Sequence, residues 1–233
     1  MYDNYIKCCI AEFIGTFTLC LGVAAGTYYD NGNQRSSYIY IFAAIYISII
    51  SHAKISGGDF NPCVTLTKFF CYEDKLKNHI NNLIIPYCVV QCIAAFLSFL
   101  FYGYITNKQI VFKQAIGINA SLTSGFLMEF FSSFFTYLFI ILVDRNMTLK
   151  NWAFKIFCCA ACVATGMSIG CFTSGSGLNP AVGLGANLSR LIIVRNVNEI
   201  YQLWIFVFAP IVASFFASIC FKILKRKFLI KLE

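Results

Sequence analysis

Apolar residues occur along this chain in long, nearly uninterrupted runs. Six of the runs are long enough to cross a bilayer as helices. They lie at about residues 6–28, 38–55, 83–105, 121–143, 152–172 and 200–224. Two further apolar segments begin at Asn61 and Asn179 and are too short to span. The pattern predicts an all-α membrane protein with six transmembrane helices and two shorter apolar helices.

The two short segments share a motif that is repeated in the chain. It reads "SGGDFNPCV" at residues 56–64 and "SGSGLNPAV" at residues 174–182. Glu12 and Glu129 precede the two Asn-Pro pairs by 49 and 50 residues. The chain therefore reads as two copies of one pattern: a glutamate in the first span, then Ser-Gly, then Asn-Pro.

The copies cover about residues 6–115 and 121–224, and no linker marks a boundary within residues 1–233, which we expect to form a single domain. Each copy holds three spans, so the second enters the membrane from the opposite side and the repeat is inverted. A ten-residue helix is about 15 Å long, half of a hydrocarbon core of roughly 30 Å. Two re-entrant half-helices with their N-termini together would complete one span.

The Asn-Pro pairs fit the start of such half-helices. Proline suits the first turn, where its missing N–H costs nothing, and asparagine is a strong N-cap. The loop before each helix is irregular backbone at membrane depth, which is tolerated where it lines a water-filled path or is held by buried partners. Glu12 and Glu129 are predicted to hold these loops, although membrane acids are also candidates for proton or ion ligands.

Composition excludes several other classes of protein. Hydrophobic residues make up 59% of the chain and charged residues 12%, which is far from a soluble domain. No nucleophile with a paired base, phosphate-binding loop or metal cluster is apparent, so we expect no enzyme activity, cofactor or metal. The twelve cysteines lie mostly in apolar runs without histidines at ligand spacing, which disfavours a disulfide framework or zinc site.

The net charge of +8 is unevenly distributed and predicts the orientation. If both termini face the cytosol, 13 of the 18 basic residues lie inside, in agreement with the positive-inside rule. The 13 residues are Lys7, Lys54, Lys68, Lys75, Lys77, Arg145, Lys150, Lys155, Lys222, Lys225, Arg226, Lys227 and Lys231. A basic cluster bound to a membrane does not predict nucleic-acid binding.

These motifs resemble the aquaporin and aquaglyceroporin family, the major intrinsic proteins. The resemblance covers nearly the whole chain and rests on "AEFIGTF", "SGGDFNPCVT", the Gln91 region, "MEFFSSFF", "SGSGLNPAV" and "APIVASFFAS". It implies a bundle of six helices and two half-helices, one pore per subunit and assembly as a homotetramer. The pore motifs it implies are Asn61, Pro62, Cys63, Asn179, Pro180 and Ala181.

The resemblance also implies a selectivity filter at Ile41, Met167, Ser176 and Val182. Members of the family usually carry arginine at the position of Val182. The change removes a fixed positive charge and leaves a mainly apolar constriction. We therefore expect a less discriminating filter, open to neutral solutes such as glycerol, urea, ammonia or hydrogen peroxide.

Two other positions depart from the family. Cys63 replaces the usual alanine, which predicts sensitivity of the pore to thiol reagents. Asp59 stands where histidine is frequent, so a pH response resting on that histidine should be missing, and we interpret the acid as a loop cap.

The expected function is a passive channel for water and small neutral solutes in a lipid bilayer, by default the plasma membrane. Half-helix N-termini and two asparagine amides at the midplane would hold a passing oxygen and repel cations. A strictly water-selective aquaporin, an ion-coupled small-solute transporter and a nonconducting scaffold are the alternatives. Asn119 begins an "NAS" glycosylation acceptor whose use stays open.

Overall fold

The structure is a computed structural model that describes residues 2–28, 34–72, 82–107, 112–146 and 149–226. Within these ranges the helices are α1 (Tyr2–Tyr28), α2 (Gln34–Ser56), α3 (Pro62–Cys71), α4 (Ile84–Ile105), α5 (Leu122–Asp144), α6 (Trp152–Gly170), α7 (Pro180–Val194) and α8 (Leu203–Leu224). A short 3₁₀ helix, Val197–Ile200, links α7 to α8. Four of the 13 basic residues predicted to lie inside are outside the described residues: Lys75, Lys77, Lys227 and Lys231.

The six predicted spans are confirmed among the described residues. α1, α2, α4, α5, α6 and α8 are long and apolar enough to cross a membrane. α3 and α7 have 10 and 15 residues and are too short to do so. The chain is therefore a multi-pass integral membrane protein.

Local sequence explains where several helices begin. The Ser121 side chain accepts a hydrogen bond from the Ser124 N–H at the start of α5, and Asn151 caps the Phe154 N–H of α6 in the same way. α3 and α7 each begin at a proline that follows an asparagine cap. Because these caps satisfy N–H groups that a helix leaves free, they fix the first turns.

The helix contacts follow the same pattern in the two copies. α1 packs against α2 and α4, and their counterparts in the second copy do the same, α5 against α6 and α8. Each half-helix packs against the last span of the other copy, α3 against α8 and α7 against α4. This exchange interlocks the two copies around the point where the half-helices meet.

Small residues permit the closest of these approaches. A Cβ atom on Gly185 of α7 would lie 2.6 Å from the backbone of Ala95 in α4, so only glycine allows this separation.

On the outer face of α5, Phe131, Phe135 and Phe139 follow one another at intervals of four residues and are about half exposed. An apolar outer face of this kind suits contact with lipid.

Candidate functional site

The N-termini of the two half-helices meet in the middle of the bundle with nearly identical geometry. Asn61 caps α3 with φ −156° and ψ 119°, and Asn179 caps α7 with φ −154° and ψ 110°. The side-chain oxygen of each asparagine accepts a hydrogen bond at 2.9 Å, from the N–H of Cys63 and of Ala181 respectively. The sequence prediction that the Asn-Pro pairs start two helices is confirmed.

The two asparagine amides also bond across the junction. The Asn61 Nδ2 donates to the Leu178 carbonyl at 2.7 Å, and the Asn179 Nδ2 donates to the Phe60 carbonyl at 2.8 Å. Phe60 and Leu178 both adopt the left-handed region, with φ 49° and 50°. This unusual backbone turns each carbonyl toward the opposite asparagine. Since an amide carries two N–H bonds, one on each asparagine is left for another acceptor.

Glu12 lies fully buried beneath the first loop and accepts four hydrogen bonds. Its Oε1 accepts from the Ser56 hydroxyl at 2.6 Å and the Asp59 N–H at 3.1 Å. Its Oε2 accepts from the Phe60 N–H and the Gln91 side-chain amide, both at 2.8 Å. A single carboxylate thus satisfies two backbone donors of the re-entrant loop.

Glu129 occupies the matching position in the second copy, but its contacts are fewer. Its Oε1 accepts from the Leu178 N–H at 2.6 Å, whereas Oε2 has no hydrogen-bond partner among the described residues. At the offset of 118 that relates the Asn-Pro pairs, the counterpart of Gln91 is Ala209, which offers no side-chain donor. The two loops are therefore held by carboxylates of unequal hydrogen bonding.

A cavity of about 240 Å³ runs along this junction. Both asparagines line it, together with apolar side chains from the surrounding spans. Charged and aromatic residues line one end, which we call the α3 mouth because α3 ends there; they are Asp59, Lys68, Tyr72, Asp144, Trp152 and Lys155. Met167 and Val182 line the cavity toward α7. The cavity, which we call the path, combines two polar asparagines, apolar walls and charged residues at one end.

A family model for the major intrinsic proteins matches residues 2–221. The chain belongs to the major intrinsic protein family. A major intrinsic protein is a channel and not an enzyme, which agrees with the expected class of function.

Relatives and solved structures agree with this family. A glycerol uptake facilitator protein-like protein of Lactiplantibacillus plantarum is 26% identical, over 92% of this chain and 96% of that protein. An aquaglyceroporin of Plasmodium berghei is 27% identical, over 91% and 87%. The X-ray structure of the aquaglyceroporin from Plasmodium falciparum has the same fold, with a TM-score of 0.79, 24% identity and 98% coverage of both chains.

Of the four residues predicted to form the filter of this major intrinsic protein, Met167 and Val182 line the cavity, whereas Ile41 and Ser176 are not among its lining residues. Ile41 and Val182 are each 3% exposed and belong to one apolar cluster, against which Met167 packs. The Ser176 hydroxyl instead donates to the Gly166 carbonyl at 3.3 Å and is fully buried. The side chains at the predicted filter positions are therefore mainly apolar.

Cys63 faces away from the path. It is fully buried in an apolar cluster with Tyr137 and is absent from the cavity lining, because the first turn of α3 turns this side chain toward α5. Cys159 of α6 lines the cavity instead.

All twelve cysteines are free thiols, and within the described ranges no group of His, Cys, Asp or Glu could hold a metal ion.

The charged α3 mouth was missed as a site by sequence reasoning, although a signal for part of it exists. Asn61, Val64, Lys68 and Tyr72 all line the cavity, at intervals of three, four and four residues, which is the spacing of one helix face. That spacing identifies Lys68 as a pore-facing residue once Asn61 is placed in the pore. Asp144, Trp152 and Lys155 join the mouth only through tertiary packing.

Proposed function

We propose that this major intrinsic protein conducts water and small neutral solutes such as glycerol or urea, and excludes ions and protons. The observation that carries the proposal is the pair of reciprocal asparagine bonds beside a cavity that both asparagines line. Each bond orients an amide while leaving one N–H for a passing oxygen. The names of the relatives, a glycerol uptake facilitator-like protein and aquaglyceroporins, support the solute class.

The mechanism follows from the charge distribution at the junction. Two helix N-termini place partial positive charge at the same point, where Asn61 and Asn179 donate to a solute oxygen. Leu19, Val23 and Ile45 are among the apolar residues that line the cavity. A neutral molecule replaces a few hydrogen bonds to water with hydrogen bonds to these amides. A cation instead loses its hydration shell and is repelled by the partial positive charge of the helix N-termini.

The filter supports a broad range of neutral solutes. We propose that Ile41, Met167, Ser176 and Val182 surround the constriction and that no fixed charge on these side chains selects among solutes. A larger solute with carbon–hydrogen surface is compatible with such an apolar ring. A guanidinium at Val182 would offer strong donors to water but would occupy more of the space.

We further propose that Glu12 and Glu129 are structural anchors of the two loops rather than ion ligands. The four hydrogen bonds of Glu12 come from Ser56 at the end of α2, from two N–H groups of the loop and from the neighbouring Gln91, which supports this role. We also propose that the first turns of the two half-helices are the structural role of four motif residues: Pro62, Cys63, Pro180 and Ala181. Residues 1–233 would act as a single channel domain.

Assembly and orientation complete the proposal. The apolar outer faces of the spans support contact with lipid and with neighbouring subunits, and the family supports a homotetramer with one path in each subunit. The positive-inside rule supports cytoplasmic termini, which would direct the α3 mouth toward the cytosol. We propose the plasma membrane as the location.

Light scattering from proteoliposomes tests the proposed function. Vesicles with the purified protein are shrunk first with an impermeant osmolyte and then with glycerol, beside protein-free vesicles. We expect fast shrinkage in both cases, followed by re-swelling in glycerol alone. Shrinkage without re-swelling would identify a strictly water-selective channel, flux that requires an ion gradient would identify a transporter, and the absence of added flux would favour a scaffold.

A further inference from the structure

The charged residues that line the cavity all lie at the α3 mouth, and the opposite end has none among the described lining residues. We infer that Lys68 is a specificity-determining residue whose ammonium group, held beside the path by Asp59, forms a second barrier to cations. This barrier would lie at the opposite end of the path from Val182, where the filter carries no fixed charge. The inference rests on the proposed function as a solute channel and deepens it.

The position of Lys68 is fixed by its own helix and by the preceding loop. It lies seven residues after Asn61, on the same face of α3. Its Nζ forms an ion pair with Asp59 and donates to the Gly57 carbonyl at 3.1 Å. An ammonium has three N–H bonds, so these two contacts leave one for water or solute in the cavity.

Asp59 also lines the cavity, but protein groups occupy both of its carboxylate oxygens. Its Oδ1 pairs with Lys68, its Oδ2 accepts from the Thr65 hydroxyl at 2.8 Å, and its side chain is 7% exposed against 12% for Lys68. Both oxygens are therefore engaged by the protein, while the ammonium has a donor to spare. The pair keeps the lysine in place and screens its charge only in part.

Neighbouring groups make this mouth positive. Lys155 donates to the Asp144 carbonyl at 3.0 Å, and the carboxylate of Asp144 accepts from the Tyr72 hydroxyl at 2.6 Å. Two further cations lie over aromatic rings that line the mouth, Lys54 over Trp152 at 4.6 Å and Arg145 over Tyr72 at 5.0 Å. Among the described residues at this mouth, the cations Lys54, Lys68, Arg145 and Lys155 outnumber the carboxylates Asp59 and Asp144 by two.

The second copy has no equivalent charge. At the offset of 118, the counterpart of Lys68 is Ala186 of α7, which is fully buried in the apolar cluster of the filter. Among the described residues that line the cavity, fixed charge is thus confined to the α3 mouth. A cation entering there meets an ammonium before it reaches the positive helix ends at the junction, and the two barriers act in series.

The test compares four proteins in proteoliposomes: the wild type, Lys68→Met, the double variant Asp59→Asn/Lys68→Met, and Lys68→Arg as the matched control that keeps the charge. Osmotic water permeability is measured by light scattering, and potassium permeability by a fluorescent indicator trapped in the vesicles. The double variant removes the ammonium without leaving an unpaired carboxylate, so it also guards against a folding defect of the single variant.

We expect water flux in all four proteins. In the two variants that lack the ammonium group, potassium permeability should rise about ten- to a hundredfold, because a partly screened charge beside the path has been removed. Lys68→Arg should stay as tight as the wild type. If the double variant conducts water normally and its potassium permeability stays at the wild-type level, the inference is overturned. Potassium leakage in the single variant would then reflect an unpaired Asp59. Absence of water flux in the wild type would refute the proposed function itself, and the inference with it.

Discussion

The unequal hydrogen bonding of the two buried glutamates gives the sharpest prediction about stability. Glu12 accepts four hydrogen bonds, and Glu129 accepts one through Oε1 while Oε2 has no partner among the described residues. Replacement by glutamine keeps the shape of the side chain but turns one acceptor oxygen into a donor. The substitutions Glu12→Gln and Glu129→Gln therefore form a matched pair at equivalent positions of the repeat.

The cost at Glu12 follows from its partners. The new amide nitrogen is least unfavourable at the Oε1 position, where the Ser56 hydroxyl can accept from it, but the Asp59 N–H then loses its acceptor. An unsatisfied N–H costs about 1–3 kcal/mol, and loss of the carboxylate charge weakens the two bonds that persist at Oε2, those from Phe60 and Gln91, by about 1 kcal/mol together. The expected total for Glu12→Gln is about 2–4 kcal/mol.

The cost at Glu129 is smaller for the same reasons. The amide oxygen keeps the Leu178 N–H, and the nitrogen takes the place of Oε2, which makes no full hydrogen bond although the Ser174 hydroxyl and the Gly177 N–H lie near the carboxylate. We expect less than about 1 kcal/mol. In a chain of this size 1 kcal/mol shifts the melting temperature by about 2–4 °C, so Glu12→Gln should lower it by about 4–16 °C and Glu129→Gln by less than about 4 °C.

Thermal unfolding of the purified variants in one detergent, followed by cysteine-reactive dye or size-exclusion chromatography, measures the difference. Water flux at 25 °C should persist in Glu129→Gln. Equal losses for the two variants, or a larger loss at Glu129, would refute the argument that the described hydrogen bonds set the stability of the two loops.

Three further predictions concern single positions. Val182→Arg should reduce glycerol flux in the vesicle assay about tenfold more than water flux, which corresponds to a barrier for glycerol raised by about 1.4 kcal/mol relative to that for water. Equal reductions of the two fluxes would contradict an open apolar filter. A mercurial reagent should slow water flux through Cys159, which lines the cavity; Cys159→Ser should abolish the block, whereas protection by Cys63→Ser would count against the described geometry. Gly15→Ala should lower the yield of folded protein and the melting temperature, because the new Cβ would lie 2.1 Å from the Phe60 ring; a variant as stable as the wild type would show that the ring can move.

The thiol prediction also corrects an expectation from sequence. Cys63 stands at the alanine of the first Asn-Pro motif, which made it the natural candidate for reagent sensitivity. In the fold its side chain packs against Tyr137 within an apolar cluster. Position in a motif therefore did not reveal which side of α3 faces the path at its first turn.

The sequence by itself determined the spans, the half-helices and their starting residues. Length and apolarity decide whether a helix crosses a bilayer, and Asn-Pro is a strong local start signal, so both features can be read from short stretches of chain. The odd number of spans in each copy also predicts that the repeat is inverted. These properties depend on few distant contacts.

Only the tertiary structure decided which side chains meet. The bonds between Asn61 and Leu178, and between Asn179 and Phe60, join residues 117 and 119 positions apart. Sequence reasoning predicted that the two N-termini meet, but the carbonyl partners of the asparagines depend on the left-handed backbone at Phe60 and Leu178. The different support of Glu12 and Glu129 likewise depends on what the neighbouring span offers, a glutamine in one copy and an alanine in the other.

The α3 mouth shows the same division. The spacing of Asn61, Val64 and Lys68 was enough to predict a lysine on the pore face, whereas its pairing with Asp59 required the loop geometry, and the approach of Asp144 and Lys155 required the packing of α5 and α6. Helix periodicity is a local property of the backbone. The charge around a path is the sum over side chains that only the packed bundle brings together, and for that reason it could not be read from any one segment.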